Sequence, residues 1–275
     1  MALLTASVDG AADVARAICR RIGADPAGPI GRRLGDRCAQ LPPDALAALG
    51  TTVAAAGDAD PGGLFRRLVD EATNRETYFF RDRNQLALLI ELLAERGAAA
   101  PRLWSAGCAT GEEAYSVAIL LSRTPALDGA TVLGTDLSNA ALAAAAEAVY
   151  RTGPMSACRA VAAEDEAFLP QAGERQRRVA DAVRERVRFR AHNLPDGPPD
   201  GAPFDAILCR NVLVYMDHDG RRRSLAAIDA ALKPGGVLLI GPGDASAPHD
   251  PASLGYRPLY RKNALAFLKD PADAR

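Results

Sequence analysis

Residues 103–121 read LWSAGCATGEEAYSVAILL. An apolar run breaks on a loop of small residues and restarts as a helix that opens with two carboxylates, Glu112 and Glu113. Ser105, Ala106, Gly107, Cys108, Ala109, Thr110 and Gly111 offer little side-chain bulk, so a flat ligand can lie against the strand end near the amides that begin the helix. The charge that follows limits the ligand. A phosphate cradle needs glycines, a lysine and no nearby anion, and no G-K-[ST] follows here. The dinucleotide spacing G-x-G-x-x-G is also missing, since three residues separate Gly107 from Gly111. A cationic or neutral nucleoside fits better. The two acids also complement a helix N-terminus, and the loop alone leaves both roles open.

Outward from this stretch, short apolar runs at residues 102–105, 131–135, 187–192, 204–209 and 237–241 alternate with alanine-rich helical segments. Such alternation predicts an α/β fold with a parallel sheet and helices on both faces. Ligands of these sheets bind beyond the carboxyl ends of the strands. The first strand is followed there by the small-residue loop, the second by Asp136, the third by Asn193, and the fourth by Arg210 and Asn211. Asp136 ends VLGTD about 25 residues after the loop, where a carboxylate can accept two hydrogen bonds from a ribose diol. It can also cap a helix expected over residues 138–149, although Ser138 or Asn139 could do so instead. A ribose and a cation without phosphate describe S-adenosylmethionine, whose sulfonium and ammonium are attracted to carboxylates.

The chain has 275 residues, 48% of them hydrophobic, which suffices for one large core and a small appended domain. Helical spacing of Val14, Ile18 and Ile22, and of Leu46, Leu49 and Val53, punctuated by Pro26, Pro29, Pro42 and Pro43, predicts a helical domain over residues 1–70. A second domain is expected over residues 71–275, with an insertion at about 151–186. Within the insertion, residues 156–168 read as helical, and residues 171–190 are arginine-dense with partial alternation. The tail, residues 255–269, reads as a closing antiparallel hairpin. Arg32, Arg33 and Arg37 fall on one side of a helix, either as a solvated face or as a contact surface.

A net charge of −1 argues against nucleic-acid binding. Five cysteines, odd in number and without C-x-x-C spacing, argue against a disulfide framework or a metal site and for a reducing cytoplasm. No signal-peptide pattern and no apolar run of ~20 residues is present, so a soluble protein without membrane insertion is expected, as a monomer. Cys108, Cys209 and His192 read as buried structural residues.

With Thr77-Tyr78-Phe79-Phe80-Arg81, SAGCATGEEAYS, GTDLS, HNL and FDAILCRNVLVYMD in this order, the chain resembles the CheR-type chemoreceptor glutamate methyltransferases. The resemblance covers roughly residues 65–240 and implies a Rossmann-like S-adenosylmethionine-dependent methyltransferase domain behind a small helical domain. It implies further that Thr77 and Arg81 lie over the cofactor, with Arg81 near the methyl group and the incoming carboxylate. Ala106 and Glu112 would line the loop, Glu112 meeting the methionine ammonium. Asp136 would hold the ribose, Asn193 and Leu194 flank the adenine, Arg210 and Asn211 close the far side, and Tyr215 sit by the reacting centre.

The implied activity is methyl transfer to glutamate carboxylates of a chemoreceptor cytoplasmic domain, leaving S-adenosylhomocysteine; the alternative is a different protein or a small molecule as acceptor. Two departures stand out. Arg75 occupies the position where the family often has Asn, with Asn74 one step earlier, and Gly241-Pro242-Gly243-Asp244 replaces the common G-H-S-E. Around residues 171–174 the insertion is short and poor in glycine, so recognition without a tethered receptor-tail peptide is expected. The N-terminal helices and the arginine-rich insertion would then face acidic receptor helices.

Overall fold

A computed structural model describes residues 10–55, 60–97, 100–245 and 251–271. The outer ends of both expected domains, residues 1–9 and 272–275, lie outside the described residues. The chain divides into two compact units. One runs through Asn74 and takes in Tyr215–Arg223; the other comprises Arg75–Val214 and Ser224 onward.

The first unit is helical: α1 (Ala11–Ile22), α2 (Pro29–Ala39), α3 (Pro43–Ala54) and α4 (Leu64–Ala72). Pro29 and Pro43 occupy the first helical turn, where a missing N–H leaves nothing unpaired. Val14, Ile18 and Ile22 are buried as their spacing requires, and α1 packs on α2, where Ile30, Leu34 and Cys38 are buried too. On α3 only Leu49 of the expected stripe is fully buried; Leu46 and Val53 are half-covered. The arginines of α2 serve the unit itself. Arg33 donates to the Ala72 carbonyl at 2.7 Å, Arg37 pairs with Glu71 at 3.0 Å, and Arg32 reaches the Ala27 carbonyl.

Among the described residues the second unit has ten strands, in chain order β1 (Arg102–Ala106), β2 (Thr131–Asp136), β3 (Val149–Arg151), β4 (Gln171–Gly173), β5 (Gln176–Arg178), β6 (Val187–Ala191), β7 (Phe204–Cys209), β8 (Leu232–Ile240), β9 (Arg257–Arg261) and β10 (Ala264–Leu268). Seven of them form one sheet in the order β6-β2-β1-β7-β8-β10-β9. The first five are mutually parallel, and the β9–β10 hairpin adds antiparallel to β8, as the tail pattern predicts. Helices α5 (Arg83–Glu95), α6 (Glu112–Ser122) and α7 (Asn139–Glu147) pack on this sheet through Leu89, Leu93, Val117, Ile119 and Leu142. Strand order reverses at β1, whose neighbours are β2 and β7, so a crevice opens beyond the carboxyl ends of β1 and β7.

Several local expectations shift. The last parallel strand starts at Leu232, five positions before the apolar run, because Leu232 already pairs with Phe204 and the ladder resumes at Val237 after a bulge over Lys233–Gly236. Helix α7 ends at Glu147, since Ala148 takes a left-handed conformation (φ 56°) and Val149 turns into β3. Residues 156–168 are not an α-helix but turns followed by a 3-10 segment at Ala163–Phe168. The arginine-dense stretch becomes the β4–β5 hairpin, a short helix α8 (Asp181–Arg184) and then β6. With β3, the hairpin forms a separate antiparallel sheet in the order β3-β5-β4.

Candidate active site

The loop after β1 is fixed at every step. The N–H groups of Gly107 and Cys108 both donate to the Thr135 carbonyl at the end of β2, at 2.8 and 2.9 Å. Gly107 has φ 76° and Gly111 has φ 93°, conformations that side chains rarely adopt. A Cβ on Gly111 would also lie 2.9 Å from Ala145 Cβ and 3.1 Å from the Tyr150 hydroxyl, so the loop is closed from behind. Ala106 is buried, and Cys108 is a buried thiol whose pKa burial pushes well up, consistent with an inert packing role.

Asp136 joins the second strand to this loop. Its Oδ2 accepts the Ala109 N–H at 2.8 Å and its Oδ1 accepts the Ser138 N–H at 2.9 Å. Ser138, not Asp136, caps α7 by accepting from the Ala141 N–H. Burial raises the Asp136 carboxyl above its usual range, opposed by the Ser138 and Ala109 amides and more weakly by the Arg75 guanidinium. Arg75, the departure from the family pattern, therefore acts on the carboxylate expected to hold the ribose.

Glu112 and Glu113 separate sharply. Glu112 is 3% exposed, and its Oε2 accepts the Thr110 hydroxyl at 2.7 Å. No cation pairs with it among the described residues, and burial raises its carboxyl above the ordinary value. A buried carboxylate without an ion pair among the described residues, beside the Asp136 carboxylate, is an acceptor set that suits an ammonium and a ribose diol. Glu113 instead accepts the Ser105 hydroxyl at 2.7 Å and Arg210 Nη1 at 3.0 Å.

Arg210 is a buried hub. Its side chain, 2% exposed, donates to Gln85 Oε1 at 2.7 Å, Glu113 Oε2 at 3.0 Å, Asp82 Oδ2 at 2.7 Å and the Arg81 carbonyl at 2.7 Å. Gln85 in turn donates to the carbonyls of Ile240 and Leu265, each at 2.9 Å. The planar guanidinium thus ties the start of α5 to β1, α6, β8 and β10.

The TYFFR segment lies against the same region. Phe79 and Phe80 are buried, and their N–H groups donate to the Ala157 carbonyl at 2.9 Å and to Ser116 Oγ at 2.8 Å. Thr77 and Arg81 are half-buried. Arg81 stacks 5.8 Å from the Tyr78 ring centroid and makes no hydrogen bond or ion pair through its side chain among the described residues. Beyond β6, Asn193 donates to Asp196 at 3.0 Å and Leu194 is buried.

Beyond β7, Asn211 has φ 59° and its N–H donates to Asp244. Asp244 also accepts from Val214 and Gly241, at 2.9 and 3.2 Å. The Gly241-Pro242-Gly243-Asp244 departure therefore retains a carboxylate that pins the loop after β7 to the end of β8. Tyr215 belongs to the helical unit, where its hydroxyl accepts from Asn74 at 2.8 Å and its carbonyl from the Asp25 N–H at 2.9 Å. His192 donates its backbone N–H to the Asp136 carbonyl, and its ring stands edge-on to Trp104 at 5.8 Å. Sequence reasoning missed the Arg210–Glu113–Gln85 network and Asp244; the partners lie 97, 125 and 33 positions apart, and no local pattern joins them.

A sheet of five parallel strands closed by an antiparallel hairpin, with carboxylates beyond its first two strands, defines an S-adenosylmethionine-dependent methyltransferase. Residues 75–253 match the family described as CheR methyltransferase, SAM binding domain, and the chain belongs to that family. It is 35% identical over 196 residues to chemotaxis protein methyltransferase 1 of Pseudomonas aeruginosa, spanning 67% of this chain and 71% of that protein. It is 31% identical to chemotaxis protein methyltransferase Cher2 of Pseudomonas putida, over 67% of this chain and 70% of that protein. A third relative, the probable biofilm formation methyltransferase WspC of Pseudomonas putida, is 32% identical over 75% of this chain and 49% of its own length.

Proposed function

We propose that this protein transfers a methyl group from S-adenosylmethionine to glutamate carboxylates in the cytoplasmic helical domain of a chemoreceptor, forming methyl esters. The observation that carries this reading is Arg81: a half-buried guanidinium whose side chain makes no hydrogen bond or ion pair among the described residues, on a segment held in place from both sides. Its planar fork suits a carboxylate, which it can orient without removing its charge.

Glu112 would hold the methionine ammonium, Asp136 the ribose diol, and Asn193 and Leu194 the adenine. Thr77 and Ala106 would line the groove, and Asn211 its far wall. Arg210, cofactor-binding by family pattern, spends its side chain on internal bonds, so it would meet the cofactor only through its backbone. By family pattern, Tyr215 would orient the acceptor carboxylate. When bound, S-adenosylmethionine supplies an electrophilic methyl group on a sulfonium. A glutamate acceptor has an ordinary pKa of ~4.3, so it is already ionised and Arg81 need only bind and align it.

For recognition, Arg151, Arg175 and Arg178 of the small sheet are exposed and have no acidic partner among the described residues, which favours an acidic receptor helix there. Arg33 and Arg37 are committed within the helical unit and are weaker candidates for that contact.

Transfer of labelled methyl groups to receptor cytoplasmic domains tests the reading. Labelling that releases methanol in base and is lost in Arg81→Ala is expected. Base-stable labelling would favour a different acceptor chemistry, the reading that the loss of the His and Ser donors before Asp244 supports. Persistence of label in Arg81→Ala would remove Arg81 from the mechanism.

A further inference from the structure

We infer that Tyr150 is a positioning residue for the cofactor, acting through Thr110 on Glu112. Tyr150 lies on β3, in the small sheet rather than the cofactor-binding one, yet it is 5% exposed and turned toward the loop after β1. Its hydroxyl donates to the Thr110 carbonyl at 2.7 Å. The Thr110 hydroxyl donates in turn to Glu112 Oε2 at 2.7 Å. The chain of contacts from Tyr150 to Glu112 thus fixes first the peptide and then the carboxylate.

Two further observations place Tyr150 at a junction. Its ring meets Phe79 edge-on at 4.8 Å and Tyr115 at 6.3 Å, so it braces the segment that carries Arg81 as well as α6. The space behind Gly111 is closed in part by its hydroxyl, which a Cβ there would meet at 3.1 Å. Burial also pushes the phenol far above its ordinary pKa, so it remains a donor throughout the working range. One residue of the small sheet thereby holds both the loop expected to bind the ammonium and the segment that presents Arg81. The inference rests on Glu112 as the ammonium ligand, and the test separates the two.

Calorimetric binding of S-adenosylhomocysteine to the full chain, with methyl-transfer kinetics, would be compared for wild type, Tyr150→Phe, Thr110→Val and Glu112→Gln. Tyr150→Phe keeps the ring and removes only the hydroxyl. It is expected to weaken binding and raise the cofactor KM about tenfold, with kcat at saturating cofactor within about twofold of wild type. Thr110→Val should weaken binding similarly, and the double variant by less than the product of the two, because both act through one chain. A merely structural role would lower Tm and leave the KM unmoved. Unchanged affinity in Tyr150→Phe, with weakened affinity in Glu112→Gln, overturns the inference and leaves the functional reading intact. Unchanged affinity in Glu112→Gln overturns Glu112 as the ligand, and with it the route from Tyr150. Should Tyr150→Phe fail to fold, full affinity in Thr110→Val would equally overturn the inference.

Discussion

Arg210 donates to the main-chain carbonyl of Arg81 at 2.7 Å, so the residue expected to hold the acceptor is placed by a guanidinium that never faces it. The same group neutralises Glu113 and Asp82 and is itself completely covered.

Arg210→Lys keeps the charge but loses the fork, and a single ammonium cannot reach four acceptors spread around one plane. Glu113 and the Arg81 carbonyl would be left short of donors, at about 2–4 kcal/mol. A fall in Tm of about 5–15 °C by calorimetry is expected, with kcat/KM down about 100-fold as Arg81 shifts. Wild-type kcat/KM in a variant of lowered Tm would show that Arg81 is placed by something else.

Arg81→Ala separates function from stability in the opposite sense. Among the described residues its side chain makes only the stack on Tyr78, so Tm is expected to fall by at most about 3 °C. Methyl transfer should fall at least about 100-fold. A large loss of Tm would mean that the guanidinium has a structural partner.

Asp244→Ala leaves the N–H groups of Asn211, Val214 and Gly241 without their acceptor in a buried site. The expected loss is about 2–4 kcal/mol, read as a Tm lower by about 5–12 °C, and Asp244→Asn should recover part of it because one amide oxygen still accepts. Equal melting of wild type and Asp244→Ala would refute this role.

The raised carboxyls of Glu112 and Asp136 set the pH dependence. Burial lifts Glu112 above its ordinary 4.5 and Asp136 above 3.8, so the native cofactor-free protein binds more protons than the unfolded chain between those values and the raised ones. Their contribution to stability therefore declines as pH rises through that window. Binding of an ammonium favours the ionised form and runs the other way. Affinity for S-adenosylhomocysteine should be flat near neutrality and fall on acidification, with a midpoint above 4.5 that Glu112→Gln removes. Titration of affinity by calorimetry from pH 4 to pH 8 checks this; an unshifted profile in the variant would exclude Glu112.

Much of this is legible in the sequence, because the signals are local. The small-residue loop, the five apolar runs and Asp136 after VLGTD each lie within a few positions, and strand alternation with helices leaves few topologies open. The small sheet was not legible. Its strands have three residues each and are mostly exposed, so no apolar alternation marks them, and a segment held by turns reads as a weak helix.

The roles of Glu112 and Glu113 mark the boundary between the two kinds of information. Sequence alone determined that two carboxylates open α6 beside a loop fit for a nucleoside, since residue type and spacing dictate that much. Tertiary structure decided that Glu113 is spent on Ser105 and Arg210 while Glu112 stays buried with no ion pair among the described residues. Neighbouring side chains on a helix point about 100° apart, and what each one meets is supplied by strands that the chain reaches only after folding.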